Sequence, residues 1–271
     1  MKPGDVLGVG FGTPGFASPE AWCRGAFDPS VDAPEVALLS GPLRRRATGL
    51  TRMAVEVLNQ ATRTAGCDVA TAPIVWATSH GEHATAIKIL GMMRSGEGKL
   101  SPTHFHNSVH NTASGYASIA TGNCAPSTTL TGGAELVASA FLEAICHLEA
   151  GAKDVVVVLA DEPLLPPFDR GDGTAPLALA FCLSSRSAGA GAVLTNFRRD
   201  AVAPVKHCDR FGPLYVGGGL PLLERIVLRR PGTVALEVVS DRTGPIHCVD
   251  LELVEASFSL RFGAGRSVAF I

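Results

Sequence analysis

Apolar positions in this chain come in two textures: short unbroken runs, and longer stretches where they recur every three or four residues. The run DVLGVGFG (5–12) is apolar and closed by glycines, which predicts a first strand. Ser18-Pro19-Glu20 then supplies a capping hydroxyl followed by proline at the first helical position, a helix start. Over 48–65 the apolar residues Ala54, Val57, Leu58, Ala61 and Ala65 share one helix face. APIVWATS (72–79) predicts a buried strand and 82–96 a helix. Ser101-Pro102 opens a further helix, and a small-residue-rich helix covers 111–121.

Residues 127–133 predict a strand that delivers the chain to a helix over 134–150. That helix is apolar on most sides, which predicts burial at the centre of the domain. DVVVVLAD (154–161) is apolar on both faces and predicts a fully buried strand, and 176–185 and 192–197 predict two more, arranged like a hairpin. Strands alternating with helices place the chain in the α/β class with a mixed sheet. From about residue 200 the texture shifts to a glycine-rich helix candidate (213–228) and strand-like runs at 233–239, 246–254 and 257–262. The expected organisation is a domain over 1–198 and a short α+β extension over 199–271 packing on the same core.

Composition then removes several functional classes. With 271 residues, 46% hydrophobic and 18% charged, the chain suits a compact α/β protein. A net charge of −2 lacks the basic excess of a general nucleic-acid binder. No apolar run approaches the roughly 20 residues of a membrane span, and the opening MKPGDVLGVGFG lacks a basic-then-apolar leader. The seven cysteines are odd in number and without C-x-x-C spacing, which fits a reduced, cytoplasmic setting. Arg44-Arg45-Arg46 reads as a solvated loop, with docking of an acidic partner as the other reading.

The turn between strand 127–133 and helix 134–150 has the shape of a nucleophile mount, yet it consists of Gly132, Gly133, Ala134 and Glu135. Other reactive side chains are scattered. His80 and His83 lie near a strand-to-helix turn without a third ligand and read as structural. Cys124 reads as a packed free thiol in a loop, Cys146 lies mid-helix, and Cys182 lies in a strand. His207 and His247 share a His-Cys setting that would admit a metal with Asp209 and Asp250, but the spacing favours surface or core histidines. GVGFG lacks the remainder of a dinucleotide fingerprint. No metal or other cofactor is expected. Two polar pairs stand out, His110-Asn111 and Asp161-Glu162. The first reads as a site residue pair or a buried hydrogen-bonding pair, the second as a site at a strand end or as a cap.

Four segments in order resemble a known family. GVGFGTPGFASPEAW (8–22) is similar to the opening of β-ketoacyl synthases, and 101–130 to the segment leading into their nucleophile strand. AGAKDVVVVLADEP (150–163) and PPFDRGDGTAPLALAFCLSS (166–185) resemble later motifs of the same enzymes. SPTHFHNSVHN (101–111) resembles a shorter, chain-length-factor-like subgroup of aryl-polyene pathways. The resemblance implies a thiolase-like α/β fold, the β-ketoacyl synthase N-terminal half, with a five-stranded sheet and an incomplete second half. In that family a cysteine at the head of the central helix takes the acyl chain, helped by the helix dipole. Counting without gaps from Ala125-Pro126-Ser127 places Ala134 at that position. The motifs around the two decarboxylating histidines are also missing.

The resemblance therefore implies a non-catalytic subunit that pairs with an active β-ketoacyl-ACP synthase carrying the intact cysteine and shapes its acyl tunnel. The expected assembly is a heterodimer, with acyl carrier protein met directly or through that partner, in polyene, fatty-acyl or polyketide biosynthesis. No nucleic-acid or membrane partner is expected. Tunnel and interface candidates are Phe105, His106, His110, Asn111, Tyr116, Thr129, Leu130 and Glu135. Two other readings stay open: a stand-alone thioester-processing acyltransferase or hydrolase, and a homodimeric acyl-chain-binding protein. The uncharged, β-branched run at 127–131 would be an aggregation hazard as a bare edge, so it is expected to pair in an assembly.

Overall fold

A computed structural model describes residues 4–32, 36–96, 99, 101–168, 174–185, 191–238 and 244–254, with the backbone of 261–262 and 266–267. The strands are β1 (Gly4–Gly12), β2 (Ile74–Thr78), β3 (Ser127–Thr131), β4 (Asp154–Asp161), β5 (Leu177–Ser184), β6 (Gly191–Asp200), β7 (Gly232–Ala235) and β8 (Ile246–Val254). The helices are α1 (Pro19–Cys23), α2 (Gly41–Arg46), α3 (Gly49–Ala65), α4 (His83–Ser95), α5 (Pro102–His106), α6 (Thr112–Thr121), α7 (Leu136–Glu149) and α8 (Leu220–Val227). The predicted helix over 213–228 divides into a 3₁₀ turn at Tyr215–Gly219 and α8. Of the run 257–262, residues 257–260 lie outside the described residues, and Arg261–Phe262 pairs with Arg266–Ser267.

The eight strands form one mixed sheet in the order β3-β2-β4-β5-β1-β6-β8-β7. The sheet is thus larger than the five strands expected, because β6, β8 and β7 continue it beyond β1. β3, β2 and β4 run parallel; every other pairing is antiparallel. The expected hairpin of 176–185 with 192–197 does not form. β1 lies between β5 and β6, pairing with β5 from Asp5 to Gly12 and with β6 over Gly4–Val6.

Alternation along the central strands divides their side chains between two cores. Val155, Val157 and Leu159 of β4 face α7 and the segment 211–223, whereas Val156, Val158 and Ala160 face α3 and α6. β5 repeats the division with a size difference: Leu177, Leu179, Phe181 and Leu183 on one face, Ala178, Ala180 and Cys182 on the other. Small residues suit the second face because α3 lies very close to it. A Cβ added at Gly8 or Gly10 would stand 2.2 Å from Ala61 O or 2.1 Å from Val57 O. The GVGFG run is therefore a contact surface for α3, where side chains would collide with helix backbone. α3 presents Ala54, Val57, Leu58 and Ala61 to this contact, all essentially solvent-free.

Candidate functional site

β3 ends at Thr131 and α7 begins at Leu136. Ala134, expected at the helix head, sits in the preceding turn, and Glu135 takes the N-cap position without a side-chain cap bond. The Ala134 carbonyl accepts a hydrogen bond from Val238 N at 3.3 Å. A Cβ at Gly133 would lie 3.9 Å from Tyr215 Cζ, so this turn abuts the Tyr215 ring, which in turn stands 6.0 Å from the His207 ring. The neighbourhood of the turn is thus partly supplied by 207–238. Those residues carry no local motif that would have marked them.

β3 is the edge of the sheet and has β2 as its one neighbour among the described residues, with Thr129 opposite Trp76 and Leu130 opposite Ala77. Side chains tie it to a helix on each face. Thr128 Oγ1 donates to Glu143 Oε1 of α7 at 3.1 Å, Trp76 Nε1 donates to Ser127 Oγ at 3.2 Å, and the Ser114 and Ser127 hydroxyls are 2.8 Å apart. Leu130 is partly buried and packs into the first core; Thr129 is half-buried. α7, expected to be buried on most sides, has a buried face and a solvent face. It buries Leu136, Val137, Ala138, Ala140, Phe141 and Ala144, while Ser139, Leu142, Cys146 and Glu149 form an exposed stripe. Leu142 is 47% exposed and Ile119 of α6 is 67% exposed, so an apolar side chain stands open on the helices flanking either face of β3.

The segment from Ser101 to Thr121 holds the other tunnel candidates. Ser101 Oγ caps α5 by accepting from His104 N, as the Ser-Pro start predicted. Phe105 is 68% exposed, and His106, His110 and Asn111 are exposed as well. The reading of His110-Asn111 as a buried hydrogen-bonding pair is therefore corrected; Asn111 is the N-cap of α6. Tyr116 is buried. Its hydroxyl donates to Asn107 Oδ1 at 3.1 Å, while Asn107 Nδ2 donates to Arg46 O at 2.6 Å. Asn107 thus fixes the α5–α6 connection to α2, a role that its sequence neighbours do not reveal. The His106 and Tyr116 rings meet edge-on at 5.9 Å. Arg44, Arg45 and Arg46 are the last turn of α2, not a loop, where cations favour the helix C-terminus.

At the C-terminal ends of β2 and β4 three carboxyl groups come together. Asp161 is fully buried and accepts from Thr78 Oγ1 at 2.6 Å, Ser79 N at 2.9 Å and His80 N at 3.3 Å. Glu162 accepts from Ala84 N at 2.8 Å. Glu82 Oε1 accepts from Thr48 Oγ1 at 2.7 Å and Thr51 Oγ1 at 2.6 Å. Burial pushes all three above the usual carboxyl range. Glu82 reaches about 7, raised further by the charge of Glu162 and opposed by the two threonine hydroxyls. The sequence singled out Asp161 and Glu162 but not Glu82. Beside them the His80 and His83 rings are 6.3 Å apart, and His83 meets Phe168 edge-on at 5.7 Å.

The remaining candidates separate. Cys124 is exposed rather than packed, its thiol 3.7 Å from Gly122 O. His247 stacks on Phe197 and hydrogen-bonds Glu237, while Asp250 accepts from Thr233, Asn196 and Arg198. Among the described residues no group of three or more His, Cys, Asp or Glu is placed to hold a metal ion, and no helix is long and apolar enough to cross a membrane.

Residues 20–208 match the family profile of the β-ketoacyl synthase N-terminal domain. The chain belongs to that family. Its fold is similar to a chain in the structure of the ketosynthase ApeO in complex with its chain length factor ApeC from Xenorhabdus doucetiae, with TM-score 0.67 and 21% identity over 93% of this chain and 99% of that one. A chain of the AntDE:AntF complex, a type II polyketide acyl carrier protein with its ketosynthase, aligns with TM-score 0.69 and 13% identity over 93% and 99%. The ishigamide ketosynthase/chain length factor gives 0.67 and 15% over 94% and 100%. At these identities the likeness establishes the thiolase-like fold. Comparison with curated protein sequences returns no match.

Proposed function

We propose that this chain is a chain-length-factor-like subunit: it pairs with a β-ketoacyl-ACP synthase that carries the intact cysteine and lines part of that partner's acyl tunnel. The observation that carries the reading is the edge of β3, which has no second strand among the described residues, beside a turn with alanine at the expected nucleophile position; Leu142 of α7 and Ile119 of α6 add exposed apolar side chains on the helices packed on its two faces. An uncharged, β-branched edge of this kind is suited to continuation by a strand of another subunit. Phe105, His106, His110, Asn111 and Tyr116 stand on one short segment and would face the shared tunnel. Thr129, Leu130 and Glu135 would stand at or beside the joint. The acyl groups would be polyene, aryl-polyene or related chains on an acyl carrier protein, handled in the cytoplasm.

Co-expression with a ketosynthase of the same gene neighbourhood tests this directly. A stable one-to-one complex whose condensation activity needs the partner's cysteine is the expected result. A stoichiometric acyl adduct on this chain, read by intact-mass spectrometry, would favour the stand-alone thioester enzyme. A homodimer indifferent to the ketosynthase would favour the acyl-binding protein.

A further inference from the structure

Between α2, α5 and α6 lies a groove of about 440 Å³, within the range of small-molecule sites. Leu43, Pro102 and Ile119 give it apolar walls, and Arg46 and His106 bring polar groups to it. Tyr116 lines it too, with its hydroxyl already donated to Asn107 Oδ1, so the ring is its contribution. Asn107 Nδ2 donates to Arg46 O at 2.6 Å, which ties the two sides of the groove together in advance of any ligand. The Arg46 side chain is exposed and has no hydrogen bond or ion pair with another described residue. The sequence that builds the groove leaves this charge uncompensated. No acidic residue lies between Glu35 and Glu56, a span with four arginines. Between Glu82 and Glu135 the only one is Glu97, against Lys88, Arg94 and Lys99. In a chain of net charge −2 this surface is locally basic.

We propose that this groove binds an amphipathic monocarboxylate, with the carboxylate on Arg46 and the apolar chain along Leu43, Pro102 and Ile119. A guanidinium presents a planar fork that matches a carboxylate and stays charged at physiological pH. His106 adds a second donor, since a neutral imidazole carries one N–H in either tautomer and an imidazolium carries two. A neutral chain of the same shape would cover the walls and leave Arg46 without a partner. A small anion would meet Arg46 and leave the walls wet. The inference takes from the reading above only the identity of the acid, the free form of the acyl chains handled there. The binding itself is a property of the isolated chain.

The test titrates octanoate, octanamide and acetate calorimetrically into the full chain. Octanoate should bind roughly fivefold more tightly than octanamide, the margin of an ion pair open to solvent. It should bind at least about tenfold more tightly than acetate, which has no chain to bury. Arg46→Met keeps an apolar stem and should bring octanoate and octanamide within about twofold. Arg44→Met removes the same charge from the same helix at a position outside the groove lining, and should retain the preference. Both arginines are exposed, so both variants should fold. Equal binding of octanoate and octanamide overturns the site, as does a preference that survives Arg46→Met or is lost equally in Arg44→Met. Acetate binding as tightly as octanoate, or no saturable binding of octanoate, overturns it too. Co-purification with the ketosynthase is read separately: it can fail with octanoate binding intact, and octanoate binding can fail with the complex intact.

Discussion

Thr78 Oγ1 donates to Asp161 Oδ1 at 2.6 Å and accepts from Gly81 N at 2.9 Å, so one hydroxyl joins the end of β4 to the turn that starts α4. Thr78→Val keeps the shape and removes both bonds, leaving a fully buried carboxyl and a buried amide each short of a partner. The expected cost is about 2–3 kcal/mol, seen as a lower urea midpoint at unchanged slope. A midpoint equal to the wild type would show that water replaces the hydroxyl.

Glu82 makes stability depend on pH in a defined direction. Its carboxyl titrates near 4.5 when unfolded and at about 7 when folded. Between those values the native state holds more protons than the unfolded state, so stability falls as pH rises through the window and levels off above it. The contribution is on the order of 3 kcal/mol from pH 4.5 to 7, because each pKa unit corresponds to about 1.4 kcal/mol. Asp161, Glu162 and Glu56 shift in the same direction, so the wild-type slope is composite. Glu82→Gln should remove one share of it. Denaturant titrations of both proteins at pH 5 and 7.5 measure that difference, and parallel curves would refute it.

Gly81 adopts φ +57°, and a Cβ there would stand 2.9 Å from His110 Cδ2. Gly81→Ala therefore meets two penalties, a left-handed backbone costing about 1–2 kcal/mol and a clash with the imidazole. In a His110→Ala background only the backbone cost should remain. A double-mutant cycle read by thermal or urea unfolding should thus show coupling above about 0.5 kcal/mol, and strict additivity would show that the ring simply moves aside.

The strands and helices were largely legible because local patterns encode them. Ser18, Thr48 and Ser101 each accept the capping bond at a helix start, and β4 and β5 are buried on both faces as their apolar runs required. Periodicity records only that a position is apolar, not which surface covers it, so Leu142 was indistinguishable from core. The place of β1 between β5 and β6 was hidden for a related reason: both of its neighbours are more than 150 residues away in sequence. Glu82 escaped notice because Thr48 and Thr51, its partners, lie 34 and 31 residues upstream. Gly8 and Gly10 were visible, but only their distance from α3 shows that they serve packing.

The interface can be tested more cleanly at the exposed apolar side chains than on the strand itself. Leu130 packs into the first core, so Leu130→Lys would disturb folding and association together. Ile119 of α6 and Leu142 of α7 are 67% and 47% exposed, on helices packed on opposite faces of the sheet, so a charge at either should leave the isolated chain within about 0.5 kcal/mol of its stability. In a docked assembly the same charge would be buried without a partner, at a cost of several kcal/mol. Ile119→Glu and Leu142→Glu should each weaken co-purification with the ketosynthase at least tenfold, and together abolish it. Glutamate at an exposed position of α4 away from β3, such as Met93→Glu, serves as the control and should leave the complex intact. Partner binding unchanged in the double variant would place the joint elsewhere on the molecule.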